Sequence, residues 1–132
     1  MKKLIPLLMI SALLGQGRNF EVEAITHFYD ADVDSTLQAM NSSDGVLYSV
    51  LVSNPNGIAI DLRFYDTPAD TVATGETPDF SFRVRAPDSS QVSIPLGPHG
   101  VHFIDGIKYG AFRADGTDPA TGLILNAVYR DN

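Results

Sequence analysis

The 132-residue sequence contains no cysteine and no tryptophan. Without thiols there are no disulfide staples, no thiolate zinc sites and no cysteine nucleophile, and the redox compartment stays unread. Basic side chains are also scarce, nine Lys and Arg against sixteen Asp and Glu, for a formal charge of −7. A surface of that sign repels phosphate, and Lys2-Lys3 is the only adjacent basic pair, so no nucleic-acid partner is expected. Long apolar runs are missing as well. The longest, Leu4 to Leu14, is eleven residues interrupted by Pro6 and Ser11, short of the ~20 needed to cross a hydrocarbon core. No membrane partner is expected.

What is present points to a folded chain. Apolar residues make up 44% and charged ones 19%, a balance that excludes wholesale disorder, and the length suits one domain. The opening, MKKLIPLLMISALLGQGRNF, resembles a secretory leader: two lysines, an apolar stretch, then the small residues of Gly15-Gln16-Gly17. Kept in the finished molecule, the same stretch must cover Leu4, Ile5, Leu7, Leu8, Met9 and Ile10, at ~1.5 to 3 kcal/mol per large apolar side chain. The leading expectation is an interface arm over residues 1–19 followed by a domain over residues 20–132, with export and cleavage as the alternative.

From Phe20 onward, short apolar stretches alternate with turn residues, the pattern of an all-β sandwich or barrel. About eight strands are expected: Glu21 to Phe28, Val46 to Ser53, Ile58 to Tyr65, Asp79 to Arg85, Gln91 to Leu96, Val101 to Ile104, Ile107 to Arg113 and Leu123 to Arg130. Ile60, Leu62 and Phe64 alternate with Asp61 and Arg63, which gives that strand one buried and one wet face. Phe80, Phe82 and Val84 repeat the pattern, so Phe64, Phe82 and Leu125 are expected to point inward. Asn54-Pro55-Asn56-Gly57 and Asp105-Gly106 read as tight hairpin turns, and Asp115 to Pro119 as a further turn. Two acidic connections, Tyr29 to Gly45 and Asp66 to Pro78, suit crossings between sheets or loops that reach a neighbouring subunit, with one helical turn over Thr36 to Met40.

Motifs with chemistry fail on inspection. Asp30, Asp32 and Asp34 begin a calcium loop, but Ser35 stands where glycine is needed and Asn41 where the bidentate glutamate belongs. His27, His99 and His102 include no H-E-x-x-H pair, and Ser89-Ser90 after Pro87-Asp88 has no nucleophile-elbow context. No metal, no cofactor and no catalytic residue is expected, and the protein is read as not an enzyme.

The order Leu47-Tyr48-Ser49-Val50, Leu62-Arg63-Phe64-Tyr65-Asp66, the Thr67 to Gly75 loop, Val92 to Leu96, Gly100-Val101-His102-Phe103, Gly106 to Ala111, Asp115 to Asp118 and Ala127 to Arg130 resembles small virion proteins of tailed bacteriophages, particularly marine ones, over residues 46 to 130. The resemblance implies a single jelly-roll-like β-sandwich acting as a capsid decoration (cement) or head-fibre module on the virion exterior. It also implies the major capsid protein as partner and self-association, with a trimer expected because such proteins often sit on threefold positions of the shell. The apolar start departs from a plain decoration domain. An exported bacterial β-sandwich, adhesive or ligand-binding, is the alternative.

Overall fold

The computed structural model describes residues 24–72, 75–86 and 88–132. The described residues hold nine strands: β1 (Ile25–Val33), β2 (Gln38–Asn41), β3 (Gly45–Asn54), β4 (Ile60–Asp66), β5 (Phe80–Val84), β6 (Asp88–Ile94), β7 (Val101–Phe103), β8 (Ile107–Phe112) and β9 (Leu123–Asp131). One antiparallel sheet runs β1-β9-β3-β6, with β7 also on β3, and the other runs β2-β8-β4-β5. The expected all-β sandwich is the observed class. The arm, with Leu4, Ile5, Leu7, Leu8, Met9 and Ile10, lies outside the described residues.

Alternation builds the core between the sheets. Ile60, Leu62 and Phe64 of β4 are fully buried, as are Val50 and Val52 of β3 and Leu123 and Leu125 of β9. Phe64 stacks on Phe80 at 4.7 Å between ring centroids, while Phe82 is only partly buried at the edge of the same cluster. Aromatic pairs in such offset or edge geometries add to the area they bury. Tyr109, 1% exposed, sits edge-on to Phe28 and donates its hydroxyl to Asp30 Oδ2 at 2.6 Å.

β3 changes phase halfway. Leu47 pairs with Tyr129 and Ser49 with Val128, so Tyr48 is an extra residue, a β-bulge that lets Leu47 before it and Val50 after it both face inward. On the opposite flank β6 pairs with the Val50 to Asn54 end and β7 with the Gly45 to Leu47 end, as one strand interrupted at residues 95–100. Gly100 closes that interruption at φ +70, and a Cβ there would stand 2.5 Å from the Leu47 carbonyl oxygen. Only glycine fits both the backbone and the space.

The Asn54 to Gly57 segment and Asp105-Gly106 are not hairpin turns. Each carries the chain from one sheet to the other, β3 to β4 and β7 to β8. The first is held by side chains: Asn54, fully buried, donates through Nδ2 to the carbonyls of Ile58, Val84 and Arg85 at 2.9, 3.1 and 3.2 Å. Its Oδ1 accepts from both nitrogens of Asn56, which in turn exchanges two hydrogen bonds with the Thr121 backbone. One polar cluster thereby ties three crossings together. The second crossing is fixed by Asp66, whose carboxylate accepts from the Ile104 and Asp105 amides.

Four further expectations change. Gln38 to Asn41 is a strand rather than part of a helical turn, because pairing with β8 and burial of Met40 outweigh local propensity. The Asp66 to Pro78 connection stays within one sheet, since β4 pairs with β5 directly. β1 is shifted toward the acidic segment, Ile25–Val33 instead of Glu21 to Phe28, and β6 begins at Asp88 instead of Gln91.

Candidate functional site

The two sheets present outer surfaces of opposite character. On the β2-β8-β4-β5 sheet, the Asp61↔Arg83 pair carries two hydrogen bonds, at 2.8 and 3.1 Å, and Arg63 approaches Asp61 at 3.7 Å. The Arg83 hydrogen bonds hold the Asp61 carboxyl below its ordinary range against the opposing effect of burial. The Arg63 guanidinium also lies over the Phe112 ring, 4.7 Å from its centroid. Tyr65 and Lys108 are 3% and 4% exposed, and Asp70 on the long β4–β5 loop meets Lys108 Nζ at 3.2 Å. Between this loop and the turn after β8 lies a cleft of about 580 Å³, lined among others by Thr36, Arg63, Tyr65, Asp70, Glu76 and Phe112.

The outer face of the other sheet is bare of charge across its middle. Strand pairing sets His27, Val128 and Ser49 in one row, and Tyr29, Asn126, Leu51 and Ser93 in the next. A groove of about 390 Å³ runs along these rows, and no Asp, Glu, Lys or Arg lines it. Ile25 and Tyr29 at its β1 side are 57% and 63% exposed. In a chain of net charge −7, a half-apolar, uncharged sheet face is where a macromolecular surface can approach without carboxylate repulsion.

The acidic and histidine motifs are dispersed into structural tasks. Asp30 takes the Tyr109 hydroxyl and the Asp32 amide, and Asp34 takes the Thr36 amide. His27 and His102 stand at opposite edges of the first sheet, and His102 Nε2 meets Asp44 at 2.5 Å. Among the described residues no cluster of three or more His, Asp or Glu is placed to hold a metal ion, and no helix is long and apolar enough to cross a membrane. Asp88-Ser89-Ser90 opens β6, with Asp88 paired to Asn54.

No protein-family model matches the chain, and neither a curated protein nor a solved structure does.

Sequence reasoning missed both surfaces. The uncharged middle of the face was readable in principle, because the outward phases of β9 and β3 run Ile124, Asn126 and Val128 and then Ser49, Leu51 and Ser53, the first charge of the β9 phase being Arg130 near its end. The cleft was not, since Arg63, Phe112 and Asp70 meet only through pairing and loop placement.

Proposed function

We propose that this chain is a non-enzymatic structural protein of a tailed-phage virion, a β-sandwich that docks on the exterior of the capsid shell against the major capsid protein and stabilises it. The virion assignment rests on the resemblance over residues 46 to 130. The observation that carries docking is the uncharged outer face of the β1-β9-β3-β6 sheet on an otherwise acidic protein. Strand order supports the jelly-roll part of the reading. With β6 and β7 taken as one interrupted strand, each sheet has four strands, and every connection except β4–β5 and the β6–β7 interruption passes from sheet to sheet. The apolar arm, through Leu4, Ile5, Leu7, Leu8, Met9 and Ile10, supplies a second attachment in this reading.

The test is reconstitution. The full chain is added to shells that lack it, and occupancy is measured by sedimentation and shell survival by heating. The parent chain is expected to bind and protect. The Leu51→Lys and Val128→Lys chain, folded by circular dichroism, is expected to bind at least about tenfold more weakly, equivalent to ~1.4 kcal/mol. A parent chain that binds no shell overturns the reading.

A second reading, an exported ligand-binding module, is favoured by one observation, the cleft over Arg63 and Phe112, whose size falls in the range of small-molecule sites. Intact-mass measurement of the native protein separates the two: an exported protein begins near Arg18, a shell protein retains Met1 to Gly17.

A further inference from the structure

Of the four sheet edges among the described residues, three are guarded. β2 is only four residues long, β5 is five residues with Arg83 facing out and Arg85 following it, and the β6–β7 side is broken by Pro95 and Pro98. Short edges, arginines and prolines are the usual devices against edge-to-edge pairing. β1 has such guards only at its far end, the carboxylates of Asp30 and Asp32 and a register break between Asp30 and Val33, and none of them from Ile25 to Tyr29. It is nine residues long, pairs regularly with β9 from Ile25 to Asp30, and has neither charge nor proline nor glycine from Ile25 to Tyr29. Ile25 and Tyr29, two of the large apolar side chains left exposed, both belong to it.

From this edge we infer that two copies of the chain join through β1, pairing antiparallel about a twofold axis at His27. That register is self-complementary. Ile25 of each copy stands opposite Tyr29 of the other on the outer face, giving two apolar cross-strand pairs, and Thr26 stands opposite Phe28. Charge selects the register. Moving the axis toward Asp30 and Asp32 sets carboxylates of the two copies opposite one another, whereas at His27 they fall beyond the paired stretch. Charge also sets where two copies can meet, because chains of −7 repel over most of their surfaces and the stretch from Ile25 to Tyr29 has no charge; the self-complementary register sets the second copy as its occupant.

The two β1-β9-β3-β6 sheets, each with β7 on β3, become one continuous sheet of ten strands, and the uncharged middles of their outer faces lie on the same side of it, with Arg130 beside Ile25 in each copy. Pairing of this kind closes at two copies, not three. The inference stands apart from the shell reading, since self-association is measured with no shell present.

The absence of native cysteine provides the experiment. His27→Cys places a sole thiol on the twofold axis, where paired Cα atoms lie about 4.5 to 5.5 Å apart, within disulfide reach. Ser81→Cys, on the exposed part of β5, is the control. Under mild oxidation the His27→Cys full chain is expected to convert to disulfide-linked dimer and the Ser81→Cys chain to remain largely monomer. Sedimentation equilibrium of the parent at about 100 µM, where a micromolar Kd leaves mostly dimer, is expected to return twice the chain mass. The Ile25→Lys and Tyr29→Lys double variant, which sets lysine against lysine, is expected to weaken association at least about tenfold. A parent of monomer or trimer mass, or His27→Cys cross-linking no faster than Ser81→Cys, overturns the inference. So does a double variant that associates as tightly as the parent.

Discussion

Replacing Asn54 by alanine is expected to cost more than removing any exposed charge on this protein. The side chain makes five hydrogen bonds, to the carbonyls of Ile58, Val84 and Arg85 and from the two nitrogens of Asn56. Three of the five, to Val84 and from Asn56, lie in buried surroundings where water cannot replace the lost partner. At ~1 to 1.5 kcal/mol for each orphaned group, the loss sums to roughly 3 to 5 kcal/mol, a large part of a domain's ~5 to 15 kcal/mol. For a domain of this size that lowers the thermal midpoint by roughly 10 to 20 °C. Asn54→Asp keeps the shape but turns an oxygen toward those carbonyls. A buried carboxyl there is held above its ordinary range, so its stability deficit grows as pH rises through ~3.9. Calorimetry of both variants at two pH values is the assay. An Asn54→Ala midpoint within about 3 °C of the parent, or an Asn54→Asp deficit that shrinks as pH rises, refutes the claim that this cluster ties the crossings.

Other variants probe the remaining parts of the fold. Phe64→Ala removes a fully buried ring from between the sheets and is expected to cost ~3 to 5 kcal/mol by denaturant titration; a loss under about 1 kcal/mol means that the strand phase is misplaced. Gly100→Ala forces a side chain onto a φ of +70 and against the Leu47 carbonyl, and an expected loss of at least ~2 kcal/mol checks the close approach of this segment to β3. Tyr109→Phe removes a donor to Asp30 and is expected to cost ~1.5 to 3 kcal/mol at neutral pH. Burial first, and the Asp30 hydrogen bond second, raise the Tyr109 phenol above its ordinary value. The unfolded chain therefore ionises first as pH passes ~10, stability falls there, and the Phe variant should lose less of it.

Much of the fold was legible because burial writes a period of two along a strand. Ile60, Leu62 and Phe64 against Asp61 and Arg63 placed β4 and its inner face without ambiguity. Tyr48 shows where that logic stops: a bulge changes the phase inside one strand, and the β9 partners that define it, Val128 and Tyr129, lie far away in sequence. The Asn54 and Asp105 segments carry turn chemistry that fits a hairpin and a crossing equally well, and only buried partners such as Val84 and Thr121 decide between them. β2 was hidden because four residues hold too little pattern to compete with a helical reading. The arm was the feature that sequence made most conspicuous, and its six large side chains lie outside the described residues. The uncharged face was hidden for another reason: it is an absence spread over several strands, and strand order had to bring those strands side by side first.

The most direct test of the docking account is hydroxyl-radical footprinting of the chain free and bound to shells. Free in solution, Ile25, Tyr29, Leu51 and Val128 on one sheet and Phe112 and Arg63 on the other are all at least partly accessible. On binding, modification of the first four is expected to fall severalfold while Phe112 and Arg63 keep their free rates. Protection confined to Phe112, Arg63 and the cleft around them, with Tyr29 and Leu51 unchanged, would contradict the claim that the uncharged face is the one that docks.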